Sequence, residues 1–468
     1  MTMATMTTAT NNHQRRPIRV ALVVLALLGS ACASSSALPE TASEAREQPS
    51  GSDAPVSSEE PQTTNDGDDA VATEAQSADG DPDELVEDAG TDPSEGDQGD
   101  DAAFFPELCD AEPVIPGSRV DIQASGNRIA PGTLDFANLS EVEIELPDNG
   151  VWVNADPTGG WYVVLERGSA VRVSTDGTVT SAGTPGAVPP ELDADGNPDS
   201  PFRFHELFTN PLDDTRVVVD EAIAVALTTP TDFYRHGALG DAIEAAAIEW
   251  VDTCSGERGL INIAEPDVIE SLSPILADID GDGQSEIIVT LSNDDGGSRL
   301  AAFELDGTSA GESEPIGLGN RWRNQLAAGA FGPEGEVELI DVRTPHIGGI
   351  VQSFQQVVDE ENVPSLVQVA ASDASYTSHV NRTRNLSMGI ALDLDTDSFP
   401  DVLVARSDRG ALVAMTRTAD PAAALQGWNI IGERELTFGL TSNIASQEPT
   451  PGRAAVALAD GSTLRIWN

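Results

Sequence analysis

One short stretch, residues 278–286, constrains the fold more than any other part of the sequence. It reads Asp-Ile-Asp-Gly-Asp-Gly-Gln-Ser-Glu, and an apolar run, Ile-Ile-Val-Thr, follows it directly. A hard cation such as calcium takes about six to eight oxygen ligands, and alternating positions of a tight turn bring oxygens to one point. The pattern therefore predicts a calcium-binding turn that leads into a β-strand. The predicted ligands are the side chains of Asp278, Asp280, Asp282 and Glu286 and the backbone carbonyl of Gln284.

Two further stretches keep this spacing of oxygen groups. Residues 393–401 keep it, with Ser398 where the first stretch has glycine, and residues 191–199 keep it ahead of a poorer strand. We expect two calcium ions, and a third if residues 191–199 also bind. The simpler alternative for each stretch is a solvated acidic turn. The predicted side-chain ligands are Asp393, Asp395, Asp397 and Asp401 in one stretch and Glu191, Asp193, Asp195 and Asp199 in the other, with carbonyls from Phe399 and Asn197.

A strand–turn–strand pattern recurs along the chain. Apolar runs flank an acidic or glycine-rich turn in stretches that begin at residues 237, 274, 325 and 387. The last three begin roughly 50 to 60 residues apart, which is the size of a four-stranded propeller blade. The turn at residues 332–338 has the form of a blade turn that has lost its metal. We predict an all-β fold, a β-propeller of six or seven four-stranded blades with calcium-binding hairpin loops.

The two loops at 278–286 and 393–401 resemble the Asp-x-Asp-Gly-Asp-Gly-x-x-Asp signature of FG-GAP/VCBS repeats. Those repeats form the blades of integrin-α-type β-propellers, and the resemblance covers about residues 230 to 468. The wider sequence is similar to bacterial exported VCBS-repeat proteins. In that family the calcium loops stabilise blade hairpins, so the resemblance implies a metal that holds the fold. A cage of about six to eight oxygens also leaves no open position for a substrate.

The N-terminus has the features of an export signal. Three arginines precede a nine-residue apolar run, residues 20–28, which is too short to span a membrane. One interpretation is a lipoprotein signal cleaved before Cys32, with a lipid on its thiol. The other is ordinary cleavage after Ala33. The chain has 3 cysteines, and in an oxidising environment Cys109 and Cys254 are expected to pair, which leaves Cys32 for the lipid.

Charge divides the rest of the chain and excludes some partners. Residues 40–101 hold 21 acidic residues against one basic residue and no aromatic residue, so they cannot bury enough apolar surface to fold. We therefore predict a signal peptide at 1–33, a disordered acidic linker at 34–103 and the propeller at 104–468. The net charge of -55 argues against nucleic acid, and against a membrane contact other than a lipid anchor.

Polar residues recur just before the predicted first strands of the blades. Ligands of propellers bind near the ends of these strands, at the mouth of the central channel. One interpretation is a ring that grips a polar or anionic ligand, and the other is a set of side chains that hydrogen-bond strand ends and neighbouring blades. The residues in question are His236, Arg321, Arg323, Asn324, His346, His379, Arg384, Asn385 and Asn443.

Three hypotheses for the function follow. The first is an exported, monomeric, calcium-binding propeller that binds a surface protein or a carbohydrate at the cell envelope. The second is a polysaccharide-processing enzyme, because some calcium-loop propellers are lyases that use arginine or histidine near calcium. Such a site would use Arg321, Arg323, His346 and His379. The third is a purely structural envelope protein, without ligand or turnover.

Overall fold

The computed structural model describes residues 125–156, 159–183, 204–319, 321–420 and 426–468. All of them belong to one compact unit, Pro93–Asn468. Their regular structure consists of 27 β-strands and two short 3-10 helices, Phe136–Asn138 and Phe204–Leu207. The predicted all-β class is therefore confirmed. None of the described helices is long and apolar enough to cross a bilayer.

Several predictions lie outside the described residues. They are the signal peptide with Cys32, the acidic linker, the acidic stretch at 191–199 and the cysteine Cys109. Cys254 is disulfide-bonded, and Cys109 as its partner stays a prediction.

Twenty-four of the strands form six four-stranded antiparallel modules, numbered here along the chain. Five are meanders of consecutive strands. Module 1 contains Gly150–Ala155 (β3), Trp161–Leu165 (β4), Ala170–Val173 (β5) and Val179–Gly183 (β6). Module 2 contains Val218–Asp220 (β7), Ile223–Thr231 (β8), Glu244–Asp252 (β9) and Arg258–Asn262 (β10). Module 3 contains Ile275–Ala277 (β12), Glu286–Asn293 (β13), Gly297–Phe303 (β14) and Ser309–Glu312 (β15).

The second half of the chain continues the pattern. Module 4 contains Arg323–Gly329 (β16), Glu338–Arg343 (β17), Ile350–Val358 (β18) and Pro364–Ala371 (β19). Module 5 contains Gly389–Asp393 (β21), Asp401–Arg406 (β22), Ala411–Arg417 (β23) and Trp428–Glu435 (β24). Three short strands lie outside the modules: Ile129–Thr133 (β1), Val268–Ile269 (β11) and Tyr376–Thr377 (β20).

Module 6 joins the two ends of the described chain. Its strands are Ala445–Thr450 (β25), Arg453–Asp460 (β26), Thr463–Trp467 (β27) and, from far upstream, Glu141–Glu145 (β2). Strand β2 pairs antiparallel with β27, with Glu141 opposite Trp467 and Glu145 opposite Thr463. An early strand thus completes the last module.

The hydrophobic core lies between neighbouring modules. Each of the five largest clusters takes its side chains from two modules, and together they order the modules as 1, 6, 5, 4, 3 and 2. Between modules 5 and 6, for example, the ring of Trp467 meets Phe136 edge to face, with 5.9 Å between centroids. Because both faces of a central strand are covered, strands such as β13 read as continuous apolar runs.

The predicted repeats differ in how well they match the modules. Those that begin at 274, 325 and 387 are the hairpins β12/β13, β16/β17 and β21/β22, as predicted. The one that begins at 237 is not an equivalent hairpin, because residues 237–243 form the loop between β8 and β9. The stretch at 237 has the apolar composition of the other three, but its turn joins the second and third strands of a module instead of the first and second.

The segment 125–133 crosses the first strands of several modules. The Leu276 N–H donates to the carbonyl of Ser125 at 2.8 Å, and the Asn127 amide donates to the carbonyl of Ala328 at 2.6 Å. Strand β1 then runs parallel to β21 and also pairs with β26. This early segment therefore joins modules 3, 4, 5 and 6.

Arg128 is the buried charge of this segment. Its side chain donates to the carbonyls of Gly389, at 2.9 Å, and Ile444, at 3.4 Å, and also to the hydroxyl of Ser387. The residue is only 7% exposed. The guanidinium thus holds module 5 against module 6.

We expect Arg128→Ala to lower the free energy of unfolding by about 2–4 kcal/mol, because buried acceptors lose a charged donor. Guanidinium denaturation at saturating calcium measures this. Arg167→Ala is the matched control, because the Arg167 side chain is 86% exposed beside Asp148. The control should change stability by about 0.5 kcal/mol or less. Equal effects of the two changes would contradict the structural role of Arg128.

Candidate functional site

The two acidic stretches form the first hairpin turns of modules 3 and 5. Ala277 pairs with Glu286 across the β12/β13 hairpin, and Leu392 pairs with Asp401 across β21/β22. Both turns therefore begin after the first strand of a module. Each ends on an acidic residue that opens the second strand.

The backbones of the two turns are held by the same hydrogen bonds. In the first turn the N–H groups of Gly281 and Gly283 donate to the two oxygens of Asp278, at 2.6 and 3.0 Å. In the second turn Thr396 and Ser398 donate to Asp393 in the same way, at 2.7 and 3.2 Å. The remaining equivalent bonds are Asp282 to Asp280, Gln284 to Asp282, Asp397 to Asp395 and Phe399 to Asp397.

The second turn reaches this conformation without glycine. Gly281 and Gly283 have φ values of 81° and 94°, and Thr396 and Ser398 have 72° and 78°. Left-handed φ values are costly for a residue with a Cβ, most of all for a β-branched one. The departure at Ser398 therefore leaves the turn geometry intact but adds strain.

Buried carboxylates stand at the base of each turn. Glu286 is 0% exposed and Asp401 is 1% exposed. One oxygen of each accepts a backbone hydrogen bond, from Ile279 at 2.7 Å and from Leu394 at 2.9 Å. Burial and neighbouring aspartates raise the pKa of both carboxyls to about 7. The other oxygen of Glu286 is buried and has no hydrogen-bond partner among the described residues.

The predicted ligand groups converge in part. One oxygen each of Asp278, Asp280, Asp282 and Glu286 lie within 4.8 Å of one another, and so do oxygens of Asp393, Asp395 and Asp401. Asp397 is not within the second group. The carboxylates that converge are hard oxygen donors and fit calcium. Phe399, the predicted carbonyl ligand, lies with its ring beside Gly335 of the neighbouring module.

In module 4 an arginine neutralises the equivalent buried carboxylate. Glu338 opens β17 as Glu286 opens β13, and it is 1% exposed. Arg417, from β23 of module 5, donates to both of its oxygens at 2.6 and 3.0 Å. The guanidinium also lies 5.4 Å from the ring centroid of Trp428. In module 4 the guanidinium of Arg417 therefore neutralises the buried carboxylate. In modules 3 and 5 the equivalent turns instead bring several carboxylates together.

Four of the predicted ligand-binding residues make hydrogen bonds at strand ends. Asn324 and Asn443 are buried at 3% and 1% exposure. Asn443 bonds the N–H and C=O of Val153 in module 1, at 2.8 and 2.9 Å. Asn324 donates to Ser378 and Leu386, and Asn385 accepts from Ser387. Arg323 donates to the hydroxyl of Ser313 at 3.1 Å and forms an ion pair with Asp341 at 3.3 Å.

The two other arginines among the predicted ligand-binding residues differ in burial. Arg321 is exposed and donates to the carbonyl of Ile316 at 3.2 Å. Arg384 is partly buried and pairs with Asp214 and Asp241 of module 2, both at 2.6 Å. Arg384 therefore links the loop before β21 to module 2.

His346 and His379 meet at the end of the modules opposite the acidic turns, and His236 is linked to them through Glu270 and Trp322. His346 and His379 are hydrogen-bonded to each other through their rings. Trp322, just before β16, stacks on His346 at 5.7 Å and meets His379 edge to face at 5.0 Å. Burial lowers the pKa of His346 to about 4 and that of His379 to about 3. Both rings are therefore neutral near pH 7.

Two glutamates of this cluster were missed by the sequence analysis. Glu270 is 0% exposed and is bonded to His236 and, at 2.6 Å, to Ser292. Glu244 is 1% exposed, and burial followed by the charge of Glu270 raises its pKa to about 10. For Glu244 the available signal was an acidic residue within the largely apolar run of residues 241–250, which also holds Glu249.

Comparisons with known proteins add little to this geometry. No protein-family description and no curated protein matches the chain. The Dos1 propeller is similar over 72% of this chain and 96% of its own, at 7% identity and a TM-score of 0.31. Hsv2 of Kluyveromyces lactis matches over 58% and 72%, at 12% identity and a TM-score of 0.30.

A third solved structure is a putative glucose dehydrogenase of Thermus thermophilus. It is similar over 70% of this chain and 100% of its own, at 11% identity and a TM-score of 0.29. Scores this low support no inference about the fold or the activity of this chain.

We expect Arg417→Gln to lower the free energy of unfolding by about 3 kcal/mol, because Glu338 would keep a buried charge without its cation. Guanidinium denaturation measures the change. Arg406→Gln is the matched control, because Arg406 also contacts acidic residues, Asp408, Glu433 and Glu435, but at the surface. The control should cost about 0.5 kcal/mol or less. A loss at Arg417 no larger than at Arg406 would contradict the assigned role.

Proposed function

We propose that this chain is an exported β-propeller of the FG-GAP/VCBS type, held together by calcium, that acts as a binding module at the cell envelope. One observation carries the proposal. Two turns at equivalent hairpins, over a hundred residues apart, share the same hydrogen bonds and gather acidic side chains within 4.8 Å. A solvated acidic turn has no physical reason to repeat this arrangement, because like charges at that distance repel.

Calcium fits these turns better than zinc or copper does. Every converging side chain is a carboxylate, which favours a hard cation over zinc or copper. Asp278, Asp280, Asp282 and Glu286 would hold one ion, and Asp393, Asp395 and Asp401 the other. A bound ion supplies positive charge and ties the first strand of the module to the second. We assign it no chemical step.

The module arrangement supports a six-bladed propeller. Each module is a four-stranded antiparallel sheet, and the cores lie between neighbouring modules. The last module is completed by the early strand β2. Propellers use radially packed four-stranded blades in this way, which leaves only short protected edges.

Two of the four residues that a polysaccharide lyase would use are buried, which favours a binding role over that alternative. Arg323 is buried at 2% exposure beside Asp341, and His379 is also 2% exposed with both ring nitrogens bonded. Only Arg321 and His346 remain accessible. A surface protein or a carbohydrate is the partner class we propose, presented by a lipid anchor on Cys32 and an acidic linker.

Calcium should raise the melting temperature of the mature protein, because the ion binds the folded turns and not the unfolded chain. We expect titration calorimetry to show two ions in the described turns, plus one if residues 191–199 bind. Asp280→Asn and Asp395→Asn should each remove one ion.

Asp359→Asn is the control for these changes. Asp359 lies in an exposed turn of module 4 and accepts backbone hydrogen bonds from Glu361 and Val363, which asparagine also accepts. It should leave the stoichiometry unchanged. An unchanged melting temperature in chelator would overturn the calcium proposal.

A further inference from the structure

The hairpin of β18 and β19 extends beyond the rest of module 4. Strand β18 pairs with β17 only through residues 350–354, but it pairs with β19 as far as Val358, which lies opposite Pro364. Residues 355–367, here called the arm, therefore form a ribbon of two strands with no third strand among the described residues. A two-stranded ribbon is marginally stable by itself, so one of its faces needs a neighbour.

Module 3 supplies that neighbour on one face of the arm. Gln356 and Leu366 are cross-strand partners on this face. Gln356 donates its amide to the carbonyl of Ala310 in β15, at 2.9 Å, and Leu366 is buried in the same cluster as Ala310. The positions that alternate with these two point to the opposite face. There Val357 and Val367 are diagonal neighbours, and each is 43% exposed.

The edge of β19 differs from the edges of the other modules. The last strand of each module pairs on one side only in the described structure, and charged side chains commonly protect such an edge. Four of the six last strands carry them: β2, β10, β15 and β24. Strand β6 carries none, but it has only 5 residues, and its described residues include no exposed large hydrophobic one. Strand β19 has 8 residues, no charge and two exposed valines, Val367 and Val369.

The C-terminal part of this edge is closed, and the N-terminal part is open. The N–H of Ala371 donates to the carbonyl of Gln426 in module 5 at 3.3 Å, and a bulge follows Gln368 in the pairing with β18. The regular, unpaired edge is therefore Pro364–Gln368, along the arm. Before Pro364 the chain makes an exposed acidic turn, here called the tip, which contains Asp359, Glu360 and Glu361.

Charge decides what can pair with this edge. A second copy of the chain would add its own β19. Parallel pairing would then set tip against tip, and antiparallel pairing would bring each tip towards the exposed Asp373 of the other copy. Like charges that face each other destabilise a pair of strands. The edge therefore suits a strand from a different protein, with positive charge where it meets the tip.

We propose that the arm binds an extended segment of a partner protein, which adds to β19 as an antiparallel strand. The segment carries aliphatic side chains, which cover Val367, and main-chain hydrogen bonds hold it. Arginine or lysine follows at its C-terminal end, because an antiparallel strand passes Pro364 last and then reaches the tip. This partner class rests on the proposed binding role, but strand addition does not depend on calcium.

The test uses the mature protein with calcium and a synthetic peptide of alternating valine and threonine that ends in two arginines. Fluorescence anisotropy should show saturable binding, and bound peptide should slow amide exchange in residues 364–368. Val367→Lys should weaken binding about tenfold or more, because it places a charge on the edge. Replacement of the tip by Asn, Gln and Gln should weaken binding about tenfold and remove most of its salt dependence.

Ile430→Lys is the matched control, because Ile430 is also exposed in the last strand of a module, β24, but lies outside the arm. It should leave peptide binding unchanged. A wild-type protein that does not bind the peptide would overturn the proposal, and so would equal binding of a peptide that ends in two aspartates. A wild-type dimer in sedimentation that Val367→Lys dissociates would also overturn it, because a second copy would then occupy the edge.

The outcomes separate strand addition from the calcium account. If the protein binds the peptide but no calcium, the calcium proposal fails and the arm proposal stands. If it binds calcium but not the peptide, the reverse holds. If Val367→Lys does not fold, amide exchange of the wild-type protein decides, and unchanged exchange in residues 364–368 at saturating peptide would refute strand addition.

Discussion

A buried carboxylate at the start of the second strand needs a positive partner, and much of the structure depends on how that need is met. Glu286, Glu338 and Asp401 occupy this place in modules 3, 4 and 5. In module 4 the partner is the guanidinium of Arg417. In the other two we propose a calcium ion. The second strand then packs against the next module, so neutralising one carboxylate supports two sheets.

The chain carries two chemically different ends. First strands such as β16 run from the histidine cluster towards the hairpin turn, with Trp322 before the strand and Gly329 at its end. One end gathers carboxylates suited to a hard cation, and the other gathers buried and half-buried histidines. Between them the segment 125–133 crosses several first strands.

The acidic turns could be predicted from sequence because their ligands lie within nine residues, where spacing alone sets the geometry. The strands could be predicted from β-branched apolar runs between turns. Pairing between distant residues could not. Arg417 is 79 positions from Glu338, and His346 is 33 positions from His379. No local pattern encodes such contacts. The stretch at 237 was misassigned because it has the apolar composition of a first hairpin, although its turn lies between the second and third strands of module 2.

A crystal structure grown with calcium, measured at a wavelength where calcium scatters anomalously, tests the central claim most directly. We expect one anomalous peak inside each acidic turn, coordinated by the side chains of Asp278 and Glu286 in one and of Asp393 and Asp401 in the other. We also expect β2 to complete module 6. Acidic turns without a peak at saturating calcium, with their carboxylates turned to solvent, would contradict the metal-held propeller.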